Sequence, residues 1–182
     1  SLEQKGISLQ LVNLGGGFPI QYLEAVPTPA ENAQVITAAL EKYFPGRKLD
    51  IILEPGRGMV ADAGVMRTEI VLISRRTNDS TALRWVYLDV GRYNGLAEVA
   101  GEAIRYKIVT PYDGQAGLKL ADCFLAGPTC DSEDVIYIKR PYPLPLDLKI
   151  GDVLFILGAG AYTSSYASVN FNGFTPIKTY VI

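Results

Sequence analysis

The sequence predicts an α/β plus all-β fold: a β-α-β unit over residues 1–68, then an antiparallel sandwich or Greek-key barrel over residues 69–182. Three observations carry this expectation. Apolar residues recur at helical spacing between Thr28 and Phe44, and the apolar runs on either side of that stretch both end in glycine-containing loops. Beyond about Thr68 the period shortens to that of strands. The boundary is a change of period, with neither an internal repeat nor a low-complexity linker to mark it.

Residues 7–12 are an apolar run fit for a buried strand, ending at Asn13-Leu14-Gly15-Gly16-Gly17-Phe18-Pro19. A helix follows, with Thr28 as its N-cap, Pro29 at the first helical position and Glu31 closing a capping box. Pro45-Gly46 stops it. The next strand, residues 49–53, runs straight into Glu54-Pro55-Gly56-Arg57. Two parallel strands joined by a helix deliver both loops to the carboxyl edge of one sheet, where α/β folds place their ligands. One such unit cannot cover both faces of a parallel sheet, so it either packs on the β half or is the tail of a larger domain.

In the second part, strand-like runs rich in Val, Ile and Tyr occupy residues 69–74, 83–90, 103–109, 118–125, 135–139, 152–157 and 177–182. Turn residues separate them, including Pro111-Tyr112-Asp113-Gly114 and the proline-rich stretch 141–145.

Composition narrows the function. The chain has 182 residues, 48% apolar and 20% charged, and a net charge of -2. That balance fits a soluble globular protein and argues against nucleic acid as the main partner, since no basic cluster is longer than a pair such as Arg75-Arg76. No run reaches the length of a membrane span, and Ser1-Leu2-Glu3-Gln4-Lys5 is no signal peptide, so a cytoplasmic location is expected. Histidine is absent and the two cysteines, Cys123 and Cys130, are seven residues apart, too few ligands for a zinc site. Acid–base chemistry would fall to Cys, Asp, Glu, Lys, Tyr or a cofactor.

Five motifs carry candidate chemistry. Gly15-Gly16-Gly17 exposes backbone N–H groups as an anion cradle does, or makes a plain turn. In Glu54-Pro55-Gly56-Arg57 the guanidinium suits an anion and the acid another part of the same ligand; a surface ion pair is the bland alternative. Gly127-Pro128-Thr129-Cys130-Asp131-Ser132 sets a thiol beside a carboxylate in a turn. Gly160-Ala161-Tyr162 either brings a hydroxyl to an anion or packs a tight corner, and Phe171-Asn172-Gly173-Phe174 reads as a turn between aromatics. Asp89, near the end of the run 83–90, faces a site or caps a turn.

In their order, these motifs resemble the carboxyl-terminal half of the pyridoxal-phosphate-dependent ornithine/lysine decarboxylases of alanine-racemase-like fold, the group IV decarboxylases. The resemblance covers essentially the whole chain. It implies that residues 1–68 are the last β-α-β of a TIM barrel, that residues 69–182 are the β-barrel domain, and that the protein is a homodimer with active sites at the subunit interface. It further implies that Gly15, Gly16, Gly17, Arg57 and Tyr162 hold the pyridoxal phosphate, that Glu54 pairs with the pyridine nitrogen, and that Asp131 binds the substrate's distal ammonium across the dimer. Asp89 resembles, more loosely, the corresponding acid of the same subunit. Cys130 would return a proton to the α-carbon, and Phe171 would line the pocket.

The implied reaction is decarboxylation of ornithine or lysine to a diamine, as in polyamine biosynthesis. The lysine that carries the cofactor and the histidine that stacks on it belong to the amino-terminal half in this family, and none of the eight lysines here sits in a matching motif. The chain is therefore expected to be an inactive fragment. Diaminopimelate decarboxylases resemble it too, but have Glu after the Cys. A non-catalytic regulatory relative and a free-standing β-barrel module are the readings from other classes; intact Cys130, Asp131, Glu54 and Arg57 argue against the first, the β-α-β unit against the second.

Overall fold

The computed structural model describes residues 3–75 and 83–182; Ser1, Leu2 and Arg76 of the sequence reading lie outside them. Strand β1 (Leu11–Asn13) pairs in parallel with β2 (Asp50–Ile52), Leu11 opposite Asp50 and Asn13 opposite Ile52. Helix α1 (Pro29–Tyr43) joins them, and the expected capping box is present: the Thr28 hydroxyl accepts from the Glu31 amide at 3.2 Å while the Thr28 amide donates to Glu31 Oε2 at 2.7 Å. β1 is shorter than the run 7–12, because a strand extends only as far as its neighbour pairs with it and β2 has three residues. No α1 residue is buried; its apolar stripe, with Leu14 and Phe18, lines an open groove of about 400 Å³.

The second part is one curled, mixed sheet of six strands, a half-barrel; the all-β character expected here is present, but one strand pair is parallel where every pair was expected to be antiparallel. Its strands are β3 (Val65–Ser74), β4 (Arg84–Leu88), β5 (Lys107–Val109), β6 (Leu120–Ala126), β7 (Val135–Pro145) and β8 (Val153–Leu157), in the order β5-β8-β3-β4-β6-β7. β4 and β6 run parallel and the other pairs antiparallel. Because β3 begins at Val65, the change of period near Thr68 falls inside a strand. Of the run 103–109 only the last three residues are strand, since a 3-10 segment (Ala97–Glu102) precedes them.

Two expectations are overturned. The stretch 141–145 continues β7 instead of turning. β7 is an edge strand, and the Leu146 amide donates to Lys119 O on the β6 side, so the amide positions of Pro141, Pro143 and Pro145, alternating with it, face away from β6 and cost the ladder nothing. Residues 177–182 form no strand: Ile177 packs on the core and its amide donates to Asn94 O at 3.2 Å, while Val181 and Ile182 are fully exposed.

Side chains draw the sheet's two edges together. The Tyr137 hydroxyl accepts from the Tyr106 amide at 2.7 Å, and the Tyr142 hydroxyl accepts from the Ile108 amide of β5 at 3.0 Å and donates to Tyr106 O at 3.1 Å. Between the pairs Cys123–Tyr142 and Leu125–Tyr137, β6 advances two residues and β7 five, so β7 bulges. The buried Glu102 carboxylate collects the freed amides of Ile138, at 2.8 Å, Lys139, at 2.5 Å, and Arg140, at 3.2 Å. One core fills the curl, built around Ile70, Leu88, Leu96, Leu125, Tyr137 and Ile156.

Candidate active site

Two clusters gather the chemistry-bearing residues. The first lies at the carboxyl ends of β1 and β2. The Leu14 amide donates to Ile52 O at 3.0 Å and the Glu54 amide to Gly15 O at 2.8 Å, so the triple-glycine loop and the Glu54 loop lie side by side. Gly15 and Gly17 have φ of +70° and +85°, and a Cβ on Gly16 would stand 2.6 Å from Glu54 O. Asn13 ties the loops together, its Nδ2 donating to Glu54 Oε1 at 2.6 Å and its Oδ1 accepting from the Gly15 amide at 2.8 Å.

Arg57 opens the short helix α2 (Arg57–Val60). Its guanidinium donates to the Tyr22 hydroxyl at 3.0 Å and to Glu98 Oε1 at 2.6 Å, and lies 5.2 Å from the Tyr162 ring centroid. The Glu98 bond outweighs partial burial and holds the guanidinium firmly charged, whereas burial pushes the Tyr22 hydroxyl above its ordinary range despite Arg57. Tyr162, at φ +54°, lies two residues after Gly160, where a Cβ would overlap the Val60 carbonyl of α2; the corner is close-packed, and the Tyr162 hydroxyl lies next to Gly56. Gly16, Gly17, Glu54, Arg57 and Tyr162 line one cleft of about 510 Å³.

The second cluster is the β6–β7 loop. Cys130 is exposed, and Asn172 Nδ2 points to its Sγ at 3.6 Å. Asp131 Oδ1 accepts from the Tyr93 hydroxyl at 3.0 Å and the Glu133 amide at 2.8 Å. The Tyr93 ring stacks on Phe171, centroids 4.1 Å apart. Asp134 holds the loop from beneath: buried, it accepts from the Arg92 amide at 2.8 Å and from the Thr129 amide and hydroxyl at 3.0 and 2.7 Å. A Cβ on Gly91 or Gly127 would overlap its carboxylate.

Asp89 joins neither cluster. Its Oδ1 accepts from Thr68 Oγ1 at 2.5 Å and the Glu69 amide at 2.9 Å, tying β4 to β3. Tyr22, Tyr93, Glu98, Asp134 and Asn172 are missed by sequence reasoning. Only Asp134 and Asn172 carry a local signal, each lying inside or next to a motif already singled out; the others meet their partners across at least 35 residues of chain.

The donor set fits a phosphorylated pyridine ring. Glycine amides, a guanidinium and a phenol suit the phosphate, and Glu54, whose Oε2 accepts no hydrogen bond among the described residues, suits a ring nitrogen.

Comparison with known proteins agrees. The sequence profile "Pyridoxal-dependent decarboxylase, C-terminal sheet domain" matches residues 22–160. The chain is 31% identical to ornithine decarboxylase of Schizosaccharomyces pombe over 178 residues, 94% of this chain and 38% of that protein. It is 35% identical to diaminopimelate decarboxylase of Helicobacter pylori over 172 residues, 92% of this chain and 38% of that protein. The lysine/ornithine decarboxylase of Vibrio vulnificus, solved with cadaverine, superimposes with a TM-score of 0.75 at 31% identity, covering 96% of this chain and 45% of that one. The chain thus spans about two fifths of the length of these relatives. The shared sheet domain and the cleft residues agree on one assignment: the chain belongs to the pyridoxal-dependent amino-acid decarboxylases.

Proposed function

We propose that this chain is the carboxyl-terminal part of a decarboxylase that converts a basic amino acid, ornithine or lysine, to a diamine, with residues 1–68 forming the tail of a TIM barrel and the active sites shared across a homodimer. The observation that carries this reading is the convergence of Gly16, Gly17, Glu54, Arg57 and Tyr162 on one cleft. The glycine amides, Arg57 and Tyr162 hold the phosphate, and Glu54 keeps the pyridine nitrogen protonated. Pyridoxal phosphate, when bound, supplies the sink for the electron pair left as CO2 departs. Asp131 attracts the distal ammonium, Cys130 delivers a proton to the α-carbon, and Phe171 walls the pocket. Neither Cys130 nor Asp131 lines the cleft of its own chain, which suits service to a partner's site. Asp89 supplies a second acid to the substrate only if it gives up its bonds to Thr68 and Glu69.

A second reading, diaminopimelate decarboxylation, is favoured by the 35% identity to the Helicobacter pylori enzyme. Asp131 speaks for the first, because an acid attracts an ammonium tail and repels a carboxylate. The test is to supply the parent polypeptide with pyridoxal phosphate and measure CO2 and amine from ornithine, lysine and diaminopimelate. Diamine from ornithine or lysine is expected. Turnover of diaminopimelate alone moves the assignment to the second reading, and no turnover by cofactor-loaded protein sinks both. In Cys130→Ala, product formation should suffer more than cofactor binding.

A further inference from the structure

We infer that Tyr93 is a positioning residue for the substrate's cationic tail, acting through both Asp131 and Phe171; this rests on the reading of Asp131 given above. Three contacts from two segments meet on this one side chain and its backbone. Its hydroxyl donates to Asp131 Oδ1 at 3.0 Å. Its ring stacks on Phe171 at 4.1 Å with 23° between the planes. Its carbonyl accepts from the Ser168 amide at 2.6 Å, tying down the segment that leads to Phe171.

The hydrogen-bond pattern on Asp131 gives the arrangement its purpose. Oδ1 takes both Tyr93 and the Glu133 amide, whereas Oδ2 accepts no hydrogen bond among the described residues. The carboxylate is thus fixed by one oxygen and open at the other, the orientation an incoming ammonium needs. The phenol stays protonated, since burial and the neighbouring carboxylate both push its pKa up, so it remains a donor. Phe171 is held by the same ring, which sets an apolar wall at a fixed offset from the open oxygen. Nearby, the Arg92 guanidinium lies 6.0 Å from the Tyr93 ring centroid and is itself engaged by Glu133 at 3.0 Å.

Tyr93→Phe keeps the ring on Phe171 and removes only the O–H. In the cofactor-loaded parent enzyme, KM for lysine and ornithine should rise about fivefold while kcat falls by less than about twofold, the pattern of lost orientation of a charged partner. Calorimetric titration with cadaverine should show affinity weakened by about the same factor, a readout that does not depend on turnover. Asp131→Asn is run beside it. If Asp131→Asn weakens cadaverine binding and Tyr93→Phe leaves both KM and cadaverine affinity unchanged, the assignment of Tyr93 is overturned while Asp131 keeps its role. If Asp131→Asn itself binds cadaverine normally, the reading of Asp131 falls and Tyr93 with it.

Discussion

Arg57 Nη2 lies 2.6 Å from Glu98 Oε1, each side chain about one-fifth exposed. The guanidinium thus reaches the cleft already paired, with Glu98 holding one end and the Tyr22 hydroxyl the other. Glu98 orients the fork, but its carboxylate also competes for the guanidinium that a phosphate would use.

Arg57→Ala should therefore weaken pyridoxal phosphate binding by at least about tenfold, about 1.4 kcal/mol. Glu98→Gln should strengthen it by about twofold to fivefold, because the amide still accepts from Arg57 without competing with the phosphate charge. Titration calorimetry with pyridoxal phosphate checks both, and weaker binding in Glu98→Gln would mean that orientation outweighs charge.

Acid should loosen the sheet through Glu102. Burial works to raise its pKa, but the amides of Ile138, Lys139 and Arg140 and the Arg140 side chain outweigh it and hold the carboxyl below the ordinary 4.5. A depressed folded-state pKa contributes stability that is fully present above the unfolded value and is lost as pH falls through the folded one. Urea unfolding midpoints should thus drop below about pH 4.5, with Glu102→Gln flattening that part of the profile. At neutral pH Glu102→Ala should cost about 3 kcal/mol, since it leaves three amides of the β7 bulge unpartnered.

Asp134→Ala should free the Cys130–Asp131 loop without unfolding the sheet. Its carboxylate is the shared acceptor for the Arg92 and Thr129 amides, so hydrogen exchange at those two sites should accelerate by about tenfold or more, while the core amides of β4 keep their protection. Uniform acceleration across β4 would assign Asp134 to global stability instead.

The two thiols should separate cleanly. Cys123 is buried, and burial pushes its pKa up to about 11 despite Arg84 nearby; Cys130 is exposed. Native alkylation at pH 8 should add one label, at Cys130, and denaturation should admit the second, as peptide mass spectrometry would record.

Local signals recovered what local physics decides. Thr28, Pro29 and Glu31 predict the start of α1 because a capping box closes within four residues. The proline stretch 141–145 misled, because whether a proline breaks a strand depends on which side of the strand has a neighbour, and β7 lies at an edge. Residues 177–182 have the composition of a strand but no partner strand, and composition alone pairs nothing.

The sequence by itself determined the family, the glycine-rich and acidic loops and the Cys130–Asp131 turn, because each is a short string whose residue types the chemistry demands. Tertiary structure decided what those strings touch. It set Glu98 and Tyr22 on Arg57, Tyr93 between Asp131 and Phe171, and Asp134 beneath the loop, pairings 35 or more residues apart in all but the last case. It also set β4 and β6 parallel where antiparallel pairing was expected. Strand order follows from how the whole apolar surface is buried at once, and no single strand carries that information.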